Sequence, residues 1–259
     1  MRDELAAALS LPDRSDKPRV SGYTSVLDKG TPPSQLDDEL SLCGAYVDMA
    51  KLGWGTGLLT PRLSEKVEVY RRHGAELCLG GTLFELCYLR GELDRYEALV
   101  AELGLAVVEV SNGTLEIDER AKLRVIERFA AQYRVFSEVG SKDAAAIVSP
   151  ARWVKAIKAE LAAGADKVIL EGRESGSAGM YRGSGEIRMG LIQEILDAGI
   201  SPDQLLFEAP QKHQQVWFIE TIGPEVNLAN IPLSEVLSLE TLRLGLRADT
   251  LAHFHHVDR

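Results

Sequence analysis

Positive charge, cysteine, aromatic rings and long apolar runs are all scarce in this chain of 259 residues. Lys and Arg number 29 against 39 Asp and Glu, a formal net charge of −10. That balance argues against a nucleic-acid partner while leaving room for a local cationic pocket that takes a small anion. Three cysteines, Cys43, Cys78 and Cys87, are too few and too scattered for a disulfide framework or a thiolate metal site, and read as reduced core thiols. No apolar stretch approaches the roughly 20 residues of a membrane span, and the segment MRDELAAALS lacks the apolar core of a signal peptide. The expectation is a cytoplasmic protein with no membrane partner. The phosphate-binding pattern G-x-x-x-x-G-K-[ST] is missing, and GWGTG at 53–57 holds G-x-G without the rest of a dinucleotide fingerprint. Ser111, Ser137 and Ser141 have no histidine at a strand end to activate them, which disfavours a serine hydrolase. His213 is the histidine nearest that face, and the terminal HFHHVDR reads as a solvated tail.

What the chain does contain is a regular alternation. Eight short runs rich in β-branched residues read as strands: YTSVLDKG from 23, AYVDMAKLG from 45, AELCLGG from 75, LAVVEVSNG from 105, YRVFSEVG from 133, DKVILEG from 166, QLLFEAP from 204 and EVNLANI from 225. Segments of helical period separate them, such as PARWVKAIKAELAAG at 150–164, with Pro near its start and Gly past its end. Trp153 and Trp217 fall in such helices and read as packing residues. Strands apolar on both faces, each followed by a helix, imply a parallel sheet covered by helices. Eight such units with no linker predict a single (β/α)8 TIM barrel over about residues 20–250, between a polar leader (1–20) and a C-terminal tail (251–259).

Four of the apolar runs end in a carboxylate: Glu109, Glu138, Glu171 and Glu208. In a (β/α)8 barrel these strand ends form the active face, and Asp28, Lys29, Asp48, Lys51, Lys142 and Arg173 are expected at the same level. Neighbouring strands lie about 4.8 Å apart, so Glu109, Glu138 and Glu171 on strands four to six can converge. Three anions in a small volume call for a cation, and oxygen-only ligands suit Mg²⁺. The competing reading is a structural ring of ion pairs with Lys51, Lys142 and Arg173. Gly53 and Gly80-Gly81-Thr82 either bring backbone N–H groups to an anion or simply make tight turns.

The blocks VLDKG, GWGT, GGTLFE, EGRESG, FEAPQKHQQ, VNLANI and SLETLRLGLRADT, in that order from Gly22 to Thr250, resemble the phosphosulfolactate synthase family. The resemblance implies a Mg²⁺-dependent lyase of coenzyme M biosynthesis that adds sulfite to phosphoenolpyruvate, built as a homo-oligomer such as a trimer. It implies Lys142, four residues after the strand-five glutamate, as the acid that protonates C2. The candidate catalytic residues are therefore Lys142 and Lys51. The candidate substrate-binding residues are Lys29, Arg173, Lys212 and Glu208, and the candidate metal ligands Glu109, Glu138 and Glu171. Two departures stand out: Asn112 where the family reads Asp, and Ser141 where many members carry lysine. Both are expected at the barrel mouth, where they would bear on the choice of nucleophile. The alternatives are a relative adding another nucleophile to phosphoenolpyruvate or a related enol or keto acid, a non-catalytic stress-protective barrel, and an aldolase using Lys51 or Lys142 as a Schiff-base amine.

Overall fold

In the computed structural model, which describes residues 4–5, 8–143 and 148–255, each of the eight apolar runs contains a strand. The strands are β1 (Thr24–Asp28), β2 (Met49–Leu52), β3 (Glu76–Leu79), β4 (Val107–Val110), β5 (Arg134–Val139), β6 (Ala165–Leu170), β7 (Leu205–Glu208) and β8 (Leu228–Ile231). Helices follow every one of them, from Pro33–Cys43 after β1 to Val236–Arg243 after β8. Their limits obey local chemistry. Asp118 caps Glu119–Ala130 by accepting from the Ala121 N–H at 3.1 Å, and Pro150 opens Pro150–Ala162 where its missing N–H costs nothing.

All pairings are parallel, and the hydrogen-bonded order is β3-β2-β1-β8-β7-β6-β5-β4. β3 and β4 lie side by side and complete the circle without a hydrogen-bonded register between them. The chain is a single (β/α)8 barrel, as the alternation predicts.

Strand alternation sorts the side chains into two cores. Val108, Val110, Val135, Val139, Val168, Leu170, Leu205 and Phe207 face outward into the main core beneath the helices. Tyr23, Met49, Cys78, Val107, Phe136, Ile169, Leu206 and Ala229 form a separate buried cluster, supplied by every strand or its flank, that fills the barrel interior. Below it, Arg134 bonds Glu76 and Asp166. The leader docks on this underside: Arg14 pairs with Glu225 and Glu240, and the Lys17 ammonium donates to the carbonyls of Gly44 and Val47.

The structure corrects two placements. Asp48 precedes β2 instead of ending it, because residues 44–46 form a 3-10 turn; its carboxylate accepts from Thr24 N at 2.8 Å and pairs with Arg19 on the underside. Asp28 does end β1, but it shares the outward parity of Val26. Its oxygens accept from Lys66 at 2.7 Å and Tyr70 at 2.8 Å, away from the barrel axis.

Phe136 fills the interior layer directly under the charged residues described next. Phe136→Ala should lower unfolding free energy by about 3–5 kcal/mol, measured by urea denaturation; a loss below about 1 kcal/mol would contradict the packing of this layer.

Candidate active site

Two residues beyond the interior apolar layer, the same inward register turns polar. Met49 leads to Lys51, Val107 to Glu109, Phe136 to Glu138, Ile169 to Glu171 and Leu206 to Glu208. The recurrence of glutamate in the sequence is thus a single tier of inward-facing side chains at the C-terminal ends of five strands. All five are buried, and they line a small cavity of about 40 Å³ that opens at the barrel mouth.

Lysines hold the carboxylates apart. Lys51 Nζ lies 2.9 Å from Glu208 Oε1 and 3.3 Å from Glu109 Oε2. Lys142, from the loop after β5, lies 2.7 Å from Glu138 Oε1, 3.2 Å from Glu171 Oε2 and 3.7 Å from Glu85 Oε1. Backbone N–H groups take further lone pairs: Gly81 donates to Glu109 Oε1 at 2.7 Å, Gly172 to Glu208 Oε2 at 2.9 Å and Arg173 to Glu171 Oε1 at 2.7 Å. Glu109 Oε2 and Glu171 Oε2 are buried and accept no hydrogen bond, but each meets a lysine ammonium, at 3.3 and 3.2 Å. The four glutamates outnumber the two lysines, so the tier carries an excess of negative charge.

The excess shows in the titration of the groups. Burial, reinforced by Glu138 and Glu208 against the pull of Lys51, pushes the Glu109 carboxyl up to about 7. Burial and the neighbouring Glu138 and Glu208 also raise Glu171. Glu138 moves the other way: burial opposes ionisation, but Lys142 and Lys51 outweigh it. Lys51 and Lys142 are both raised, since the surrounding carboxylates overcome desolvation. Both are therefore ammonium ions at neutral pH, and neither is a free amine.

Glu109, Glu138, Glu171, Glu208, Lys51, Lys142 and Arg173 line the one cavity. Lys29 is exposed at its rim, with its ammonium 5.4 Å from the centroid of the Trp54 ring. Lys212 is not brought in: it opens the helix Lys212–Ile222, and its ammonium bonds Asp249 at 2.8 Å. Asn112 and Ser141 line a separate outer cavity; Asn112 Oδ1 accepts from the buried Lys122, whose ammonium also bonds the Glu138 carbonyl and Glu160. The two departures from the family pattern thus lie off the candidate site. His253 meets Phe254 edge-on, while His256 falls outside the described residues.

Three contributors went unread in the sequence. Glu85, buried on the helix Gly81–Arg90, accepts from Ser111 Oγ and from the N–H groups of Thr114 and Leu115, and so ties the loop after β4 to the site. A lone acid inside the apolar LFELCYL was the available signal. Trp54 lines the cavity from the turn after β2 and Asn230 from within β8; neither carries a charge to draw notice. Among the described residues, no three acidic, histidine or cysteine side chains form a ready-made metal cluster, because the lysines stand between the carboxylates.

A closed parallel barrel with acid and ammonium groups converging at the C-terminal strand ends is the layout of a (β/α)8-barrel enzyme. Residues 12–249 match the (2R)-phospho-3-sulfolactate synthase (ComA) family, and the chain belongs to it. It is 42% identical to the phosphosulfolactate synthase of Bacillus subtilis, over 94% of this chain and 97% of that protein. Identity to the phosphosulfolactate synthase of Methanothermobacter thermautotrophicus is 44%, over 93% and 95% of the two chains. A solved 3-hexulose-6-phosphate synthase superposes with a TM-score of 0.54 at 15% identity, covering 85% of this chain and 99% of that one, which bears on the fold alone. The protein is an enzyme of the phosphosulfolactate synthase type. No helix among the described residues is long and apolar enough to cross a membrane.

The raised Glu109 carboxyl gives a pH signature. Its folded-state value of about 7 exceeds the ordinary 4.5, so its contribution to stability is full below pH 4.5 and is lost as pH rises through 7. Glu109→Gln is neutral throughout and escapes that loss. With chelator present, urea unfolding should show the variant gaining about 3 kcal/mol on wild type between pH 4.5 and pH 8. A difference that stays flat over that range would contradict the assignment.

Proposed function

We propose that this enzyme is a Mg²⁺-dependent phosphosulfolactate synthase, which adds sulfite to C3 of phosphoenolpyruvate and yields (2R)-2-O-phospho-3-sulfolactate. The observation that carries the reading is the interior tier of four glutamates and two lysines, in which two buried carboxylate oxygens have an ammonium contact but no hydrogen bond, in a chain whose relatives bear that name.

In this reaction the sulfur lone pair forms the C–S bond at C3. The π electrons of the C2=C3 bond move toward the carboxylate as an ene-diolate, the phosphate ester stays intact, and C2 then takes a proton. Lys51 and Lys142 bring positive charge to the substrate carboxylate where the ene-diolate develops. Lys142 would then give its ammonium proton to C2, the role of a general acid. Its raised pKa keeps the proton on until a strongly basic carbon is present. Arg173, exposed at the mouth after β6, has bidentate geometry available for an incoming oxyanion.

The residues fit a divalent cation on two counts: the buried oxygens of Glu109 and Glu171 that accept no hydrogen bond, and the formal excess of carboxylates over ammonium groups in the tier. Glu109, Glu138 and Glu171 would hold Mg²⁺, which supplies Lewis-acid charge against the ene-diolate. A Schiff-base aldolase fits less well, because carboxylates hold both lysines as ammonium ions whereas an amine nucleophile needs a lowered pKa. Asn112 and Ser141 do not disturb the reading, since both face away from the cavity.

Incubation of the wild-type enzyme with phosphoenolpyruvate, sulfite and Mg²⁺ should give phosphosulfolactate by mass spectrometry, and excess chelator should stop it. Lys142→Ala should still bind phosphoenolpyruvate but turn over at least about 10²-fold more slowly. Absence of product from wild type would overturn the reaction, and unchanged turnover in Lys142→Ala would overturn the role of this lysine.

A further inference from the structure

The helix Gly81–Arg90 is apolar on every side. Among its ten residues only Thr82, Glu85 and Arg90 are polar, and Glu85 is buried. A helix in the outer ring of a barrel ordinarily presents charge to water. Leu63–Arg72 does so with Glu65, Glu68 and Arg71, and Glu119–Ala130 with Arg124, Glu127 and Arg128. Here the outward residues, one turn apart, are Leu86 and Leu89, 48% and 62% exposed. A helix that is apolar all round is a buried helix, yet among the described residues nothing covers this face.

The apolar surface continues past the helix. The turn Gly53–Gly55 packs against it, and the short helix Thr56–Leu59 follows directly. Trp54, Leu58 and Leu59 are 51%, 61% and 82% exposed. With Leu86 and Leu89 they present on the order of 500 Å² of apolar surface, close to the apolar share of one side of a standard interface of about 800 Å² per partner. Leu42 and Leu237 are also exposed, but on separate helices. A patch this large, left bare, invites aggregation, so its partner has to be present wherever the chain is. Another copy of the chain meets that condition. The charges beside the patch are paired within the chain, Arg62 with Glu65 and Arg95 with Glu92, so two like copies can approach without unpaired charge between them.

We infer that the outward face of Gly81–Arg90, with Trp54, Leu58 and Leu59, is the contact between two copies of this chain, and that this contact braces the active cavity. The inner side of the same helix serves that cavity. Gly81 N–H donates to Glu109, and Glu85 holds the loop after β4 and lies 3.7 Å from Lys142. Trp54 belongs to both surfaces, since it also lines the cavity. A chain separated from its partner loses that backing. The contact itself stands apart from the proposed reaction; only its effect on turnover rests on that reading.

Sedimentation velocity of the wild-type protein should give at least twice the mass of one chain. Leu86→Glu/Leu89→Glu sets two charges in an apolar contact and should weaken self-association at least about 100-fold, leaving single chains at micromolar concentration. Leu58→Glu/Leu59→Glu should do the same from the neighbouring segment, while Leu42→Glu, on the helix Pro33–Cys43, should keep the wild-type mass. All the altered side chains are exposed, so circular dichroism should show every variant folded. At equal chain concentration the two separated variants should turn over phosphoenolpyruvate and sulfite at least about tenfold more slowly than wild type, and Leu42→Glu at the wild-type rate. A wild type that sediments as one chain, or either double variant keeping the wild-type mass, would overturn the contact. Separated variants with full turnover would overturn the bracing. A wild type that assembles but forms no product would refute the reaction and leave the contact standing.

Discussion

Everything at the mouth of this barrel answers to one electrostatic constraint: four carboxylates and two ammonium groups share a buried tier directly above an apolar layer. Desolvation of so many charges is not recovered by pairing alone, and buried ion pairs of this kind seldom add net stability. The surrounding chain is built to permit it. A Cβ at Gly81 would fall 2.7 Å from Glu109 Oε1 and 2.4 Å from Ser111 Oγ, and one at Gly113 would fall 2.9 Å from Lys142 Nζ. At Gly81 the backbone comes that close because its N–H serves the Glu109 carboxylate, and at Gly113 because its carbonyl accepts from Lys142 N.

A second set of buried polar groups holds the strand ends from outside. Lys122 joins Asn112 after β4, the Glu138 carbonyl on β5 and Glu160 on the helix Pro150–Ala162. Asp28, Lys66 and Tyr70 do the same between β1 and the helix Leu63–Arg72. Groups that react with a small substrate need to be fixed to within about 0.5 Å, and packed elements with supporting hydrogen bonds supply that rigidity.

Most of the barrel was legible from sequence because its strands are apolar runs separated by segments of helical period. The inward set of glutamates was legible too, since each stands two residues beyond an apolar neighbour that the strand period turns the same way, as Phe136 does for Glu138. Other features depend on contacts that no local pattern encodes. Asp48 looked like a strand-end acid because AYVDMAKLG reads as one continuous strand, yet a 3-10 turn takes up its first residues. Asn112 and Ser141 looked like mouth residues, but their loops turn those side chains outward toward Lys122 and the outer cavity. Lys212 is drawn off by Asp249, 37 residues away in sequence. Glu85 and Asn230 reach the site from a helix and from an irregular strand end, where periodicity is silent.

On the function proposed above, the formal excess of negative charge in the tier would receive a divalent cation among Glu109, Glu138 and Glu171. The most direct test of this claim is a crystal structure grown with Mn²⁺ in place of Mg²⁺, in which anomalous scattering locates the ion. The expected result is one strong peak inside the cavity, within about 2.5 Å of carboxylate oxygens from the set Glu109, Glu138 and Glu171. A cavity with no anomalous peak at saturating Mn²⁺, its carboxylates still bridged only by Lys51 and Lys142, would contradict the claim.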